Sequence, residues 1–158
     1  MQIEGARRDR LASLLTGEQI LFVSIPADQS MGQAWYALAA LASGRGVVFS
    51  GSSTEVGGWE ECGTMNVEFL APSPPLGEWA VQTELDGFVI QSVFVLVVDD
   101  AQWQIEAGLA IFAEDGRQLL FVAGDIPGAF SMMMPNGQGE LRPQFPWQDY
   151  RRTVIDAT

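Results

Sequence analysis

Residues 79–98 read WAVQTELDGFVIQSVFVLVV, and residues 103–122 read WQIEAGLAIFAEDGRQLLFV. Trp79, Val81, Thr83 and Leu85 alternate with their neighbours, as do Trp103, Ile105, Ala107, Leu109 and Ile111, the period of a half-buried strand. Each stretch then meets an Asp-Gly dipeptide, Asp86-Gly87 and Asp115-Gly116, the signal of a two-residue hairpin turn. The first register sets Leu85 opposite Phe88, Thr83 opposite Ile90 and Trp79 opposite Phe94; the second sets Glu114 opposite Arg117. Phe88–Val98 is a core strand, broken by Gln91 and Ser92 and far short of the ~20 residues of a membrane helix.

Working upstream, Met65, Val67 and Phe69 form a strand before the break at APSPP (71–75), and Val47–Phe49 a shorter one. Between these two lies GSSTEVGGWEECG (51–63), a loop rich in Gly and Ser; Ile20–Ile25 is a strand ended by Pro26. Two helices are expected. Ala6–Thr16 puts Leu11, Leu14 and Leu15 on one face and Gly17 at its stop, with Arg7, Arg8 and Arg10 at the wrong end for the helix dipole. Ser30 and Gln33 have capping-box spacing, and Met31, Ala34, Trp35, Leu38, Leu41 and Ala42 recur at three- and four-residue intervals up to Gly44.

Downstream of Asp125, recurrent Pro and Gly forbid long regular elements. Phe130, Met132–Met134, Phe145, Trp147 and Tyr150 are too apolar for a free tail, so the segment is expected to pack back on the sheet. The expectation is an α+β fold in a single domain over 1–158, a mainly antiparallel sheet built from Asp-Gly hairpins with two helices packed on one side. Residues 126–158 form its irregular tail.

Composition removes whole classes of chemistry. Of 158 residues, 20 are acidic and 8 basic, a net charge of −12; all eight cations are Arg, and His and Lys are absent. Without an imidazole there is no Ser-His-Asp or Cys-His nucleophile, and without Lys no Schiff base or phosphate-gripping loop. Imidazole-ligated metals fall too, and Cys62, the one cysteine, allows no intrachain disulfide or thiolate cluster. A reducing compartment follows, and since the N-terminal stretch has no apolar run of signal-peptide length, the expected location is the cytoplasm. The acidic balance argues against nucleic acid and anionic membranes as partners and suits a basic protein.

The candidate residues each carry two readings. Glu55, Trp59, Glu60 and Glu61 bind a hard cation, a sugar or an Arg-rich partner, or form a solvated acidic loop; the alternating ligands of a calcium loop are missing. Asp99-Asp100 at a strand end is a functional position or a turn, and Asp125 after Gly124 reads the same two ways. Met132, Met133 and Met134 fill gaps under the tail or form an adaptable contact patch, and in extended chain at least one of the three faces outward. Trp147, Tyr150, Arg151 and Arg152 are residue types enriched in binding hot spots, or anchors of the tail. Cys62, beside Glu60 and Glu61, is a small structural residue.

The expected function is non-enzymatic: an acidic protein-binding module, an inhibitor or adaptor for a basic partner, contacting it through Glu55, Trp59, Glu60, Glu61, Asp99, Asp100, Met133, Trp147 and Tyr150. No catalytic, cofactor or metal residue is assigned. The alternatives are a carboxylate-metal or small-molecule protein using Glu55, Glu60, Glu61, Asp99 or Asp100, and a structural subunit of a homo-oligomer.

Overall fold

β-branched and aromatic residues dominate positions 80–98 and favour extended backbone. The computed structural model, which describes residues 2–4, 10–58, 60–75, 77 and 80–155, runs this stretch as one unbroken strand of 20 residues. In chain order the elements are β1 (Gln2–Glu4), α1 (Leu11–Leu15), β2 (Gln19–Pro26), β3 (Tyr36–Leu41), β4 (Gly46–Val56) and β5 (Glu60–Leu70). They continue with β6 (Ala80–Asp99), β7 (Gln104–Ala113), β8 (Gln118–Ala123), β9 (Phe130–Met133), β10 (Gly139–Glu140), a 3-10 turn (Trp147–Asp149) and β11 (Tyr150–Val154). The strands join in the order β1-β5-β4-β3-β2-β6-β7-β8-β9-β10, with β11 also on β6. Every pairing is antiparallel except β1 with β5.

β6 serves both halves of this open sheet. Its first part pairs with β2, and its second part pairs with β7 and β11. The halves pack face to face, so that Phe49 of β4 stacks on Phe121 of β8 with centroids 4.1 Å apart, and Phe130 of β9 sits 6.2 Å beyond. All three rings are fully buried, and such stacking adds about 0.5–1.5 kcal/mol to the burial of apolar area. A short bridge from Ala34 to Phe130, with N–H to carbonyl distances of 2.8 and 2.7 Å, stitches the halves together away from β6.

The α+β expectation is overturned: among the described residues the fold is mostly antiparallel sheet, with one short helix in place of two packed ones. Residues 31–42 are not helical. Ser30 and Gln33 bond backbone to backbone across a tight turn, and Tyr36–Leu41 is strand β3. The misreading has a physical source. Ala37, Ala39 and Leu41 enter the core between the halves, while Leu38 and Ala40 are buried on the opposite face. There Leu38 shares a shallow groove with Pro74 and Pro75. A strand apolar on both faces has no period of two. The other helix survives as α1, with Leu11 and Leu15 buried and Gly17 at φ +84° behind it; its expected start falls outside the described residues.

The two Asp-Gly signals also resolve differently. At Asp86-Gly87 the chain does not reverse. Gly87 takes φ +62°, and the ladder with β2 slips between Ile20↔Phe88 and Phe22↔Glu84, so the dipeptide forms a bulge. The bulge resets the side-chain parity, which is why Leu85 and Phe88, three apart, are both buried. Thr83 pairs with Val23 and Phe88 with Ile20, in place of the hairpin partners; Trp79 lies outside the described residues. At Asp115-Gly116 the hairpin forms, one residue out of the expected register. The Ala113 N–H donates to the Arg117 carbonyl, and Arg117 pairs with Asp115 at 2.7 Å rather than with Glu114.

Residues 51–63 are a hairpin rather than a loop, β4 and β5 pairing out to Val56↔Glu60. The segment after Asp125 is more regular than its Pro and Gly suggest: β9 extends the sheet beside β8, and β11 returns to β6.

Candidate functional site

Small polar residues allow the outer half of the β4–β5 hairpin to leave the core, and its tip carries the first carboxylates. Gly57 and Gly58 turn with positive φ, Val56 pairs with Glu60, and Glu55 stands directly opposite Glu61. Glu55, Glu60 and Glu61 are all exposed. Two like charges face to face weaken a ladder by tenths of a kcal/mol, a cost that the rest of the hairpin carries. Trp59 lies outside the described residues.

The tail is fastened to this hairpin by one side chain. The amide of Gln144 substitutes for a strand's peptide group: Gly63 N–H donates to its Oε1 at 2.7 Å, and its Nε2 donates to the Glu61 carbonyl at 3.1 Å. Beyond it the aromatic rings chain together. Phe145 packs on Trp103 at 5.8 Å and on Tyr150 at 6.3 Å, and Trp147 lies 5.4 Å from Tyr150. Tyr150 is half-buried, its hydroxyl accepts the Phe145 N–H at 3.4 Å, and burial holds its pKa above the usual tyrosine value. Trp147 stays 41% exposed, a large apolar surface left in water.

Asp99 and Asp100 close the same end. Asp99 pairs with Arg151 of β11 and accepts Gln104 Nε2 at 2.6 Å; the Arg151 hydrogen bond, then that of Gln104, holds its carboxyl below the usual range. Asp100 shapes the turn, its N–H donating to the Trp103 carbonyl at 2.9 Å. Between the hairpin and the start of β7 runs a cleft of about 240 Å³. It is lined by Thr54, Val56 and Thr64 on one side and Gln104, Ile105 and Glu106 on the other, with the two threonine hydroxyls 3.5 Å apart.

Of the nine residues singled out from sequence, Glu55, Glu60, Glu61, Asp99, Asp100, Trp147 and Tyr150 thus belong to the segments that build one end of the molecule. Met133 does not. It lies half-buried on the outer face of the second half with Phe94, Phe112 and Leu141, while Met132 and Met134 enter the core. Sequence reasoning missed Thr54, Thr64, Gln104 and Gln144, whose residue types carry no motif. Cys62 is buried, and desolvation followed by the Glu60 charge pushes its thiol pKa up, which leaves it a poor nucleophile. Among the described residues, no three His, Cys, Asp or Glu side chains come together to hold a metal ion. No helix among them is long and apolar enough to cross a membrane. The arrangement offers fixed negative charge, hydroxyl and amide groups, and aromatic surface.

No protein-family model, curated protein or solved structure matches this chain.

Proposed function

We propose that this protein acts by contact, docking a basic protein partner on the end formed by the β4–β5 hairpin tip, the β6–β7 turn and the 3-10 turn, as an inhibitor or adaptor. The observation that carries the reading is the gathering of Glu55, Glu60, Glu61 and Asp100 at the same end as exposed Trp147 and half-buried Tyr150. Charge of one sign steers the encounter, and a desolvated aromatic anchor holds it. The net charge of −12 disfavours nucleic acid and anionic membrane as the partner. A single buried cysteine fits a cytoplasmic setting.

The test uses the purified protein and its E55Q/E60Q/E61Q variant as paired baits in lysate of the source organism, with salt-graded washes and native mass measured beside them. A basic protein held by the wild type at low salt, released as salt rises and not held by the variant, supports the reading. Equal recovery on both baits, or a bait that only self-associates, overturns it.

A further inference from the structure

Two residues before Gln144, Arg142 lines a second cavity, of about 130 Å³, together with Gly32, Gln33, Asp125 and Ile126. Its walls are fixed. The Arg142 N–H donates to Ser131 Oγ at 2.8 Å, its guanidinium bonds Glu140 at 2.9 Å, and Gly124 bridges to Pro143. Gly32 keeps the space open, since a Cβ there would sit 3.3 Å from both the Arg142 guanidinium and the Glu140 carboxylate. Trp35, outside this lining, is 44% exposed, and its backbone N–H donates to Gln29 Oε1 at 2.8 Å. Its ring borders Gly128 in the loop that supplies Asp125 and Ile126.

We propose that this is a saccharide-binding site, in which Asp125, Gln33 and Arg142 grip neighbouring hydroxyls of a neutral pyranose and Trp35 takes the apolar face of the ring. The chemistry of the lining selects the ligand. An acceptor-only carboxylate, a donor-only guanidinium and an amide that is both require a partner with donors and acceptors on adjacent atoms, which vicinal hydroxyls supply. Asp125 and Glu140 offset Arg142, so an anionic ligand gains nothing, and a neutral one escapes repulsion by the acidic surface. A cavity of about 130 Å³ takes the hydroxyl edge of one ring, which leaves the ring's face for the exposed indole that borders Gly128 in the same loop as Asp125 and Ile126. A shallow grip of this kind corresponds to a dissociation constant on the order of 1–10 mM.

The experiment is an NMR titration of the indole N–H signals with glucose, galactose, mannose, N-acetylglucosamine and their β-linked disaccharides, each to about 50 mM, several times that constant. The Trp35 signal should shift saturably with at least one of them. W35A, followed through the backbone amide signals of Gly32 and Gly124 in place of the lost indole, and D125N should weaken that binding at least tenfold, and G32L, which fills the cavity, should abolish it, with unchanged far-UV circular dichroism in each. The absence of any saturable shift across the panel, or equal affinity in W35A and wild type, overturns the proposal.

Discussion

Replacing Gly51 by Ala tests how the two halves of the sheet meet. In an ordinary strand the substitution gains about 0.5–1 kcal/mol, because glycine loses the most backbone freedom on folding. Here a Cβ would lie 1.9 Å from the Gly128 carbonyl oxygen and 2.3 Å from its carbon, both backbone atoms of the β8–β9 loop. Reaching even 3.0 Å moves that loop by about an ångström and strains the Ala129 N–H to Ile126 carbonyl bond, now 3.0 Å. Overpacking of this kind costs about 1–3 kcal/mol, which outweighs the entropic gain and reverses its sign. Less that gain the net loss is about 1 kcal/mol, so with a urea m-value of about 2 kcal/mol/M the midpoint should fall by about 0.5 M. Urea unfolding followed by tryptophan fluorescence reads this directly. Gly57→Ala is the control, because it meets nothing within 4 Å and pays only for a left-handed backbone at φ +63°. A Gly51→Ala midpoint equal to or above wild type would refute the close approach of hairpin and loop.

Gln144→Ala should free the Gly63 N–H and the Glu61 carbonyl together, costing about 1–3 kcal/mol as a part-buried donor loses its acceptor, and should raise hydrogen exchange at Gly63 above that of other β5 amides. Asp99 has a folded-state pKa below its unfolded value, so its contribution is complete above the unfolded carboxyl pKa and is lost as pH falls through the folded one. D99N should therefore lower the urea midpoint slightly at pH 7 and match wild type at a pH below both values. A gap between the two proteins that persists in acid would assign the loss to something other than the Arg151 pair.

The sequence disclosed strands where apolar residues alternated or ran compactly up to a breaker. Met65–Phe69 and the stretch from Trp103 to Ile111 alternate and Ile20–Ile25 is an apolar run closed by Pro26; the first and last lie within observed strands, and the second does so from Gln104 onward. Tyr36–Leu41 was hidden because its outer face is covered by a proline segment distant in sequence, so alanines that fit tight packing mimicked a helix. Gly87 was hidden for another reason: a positive φ serves a bulge as well as a turn, and only the partner strand decides between them. At the candidate site, charge and aromatic content pointed to segments that fold to one end of the molecule. Gln104 lines the cleft and Gln144 fastens the tail, and their amides acquire meaning only from what folding sets beside them.

A strand that belongs to two ladders also constrains how the chain can be divided. Severed between its two ladders, near Val89-Ile90, the polypeptide yields two pieces that keep their own strand pairings, but each exposes the apolar face that the other had covered and loses the Ala34–Phe130 bridge. Split halves would have to find one another before either could settle, and a nick in this strand would be felt at the acidic tip and at the Trp35 loop alike. Insertions and fusions therefore belong at the solvent-facing turns, such as Gly57-Gly58 or Asn136-Gly137, where the ladder has already ended.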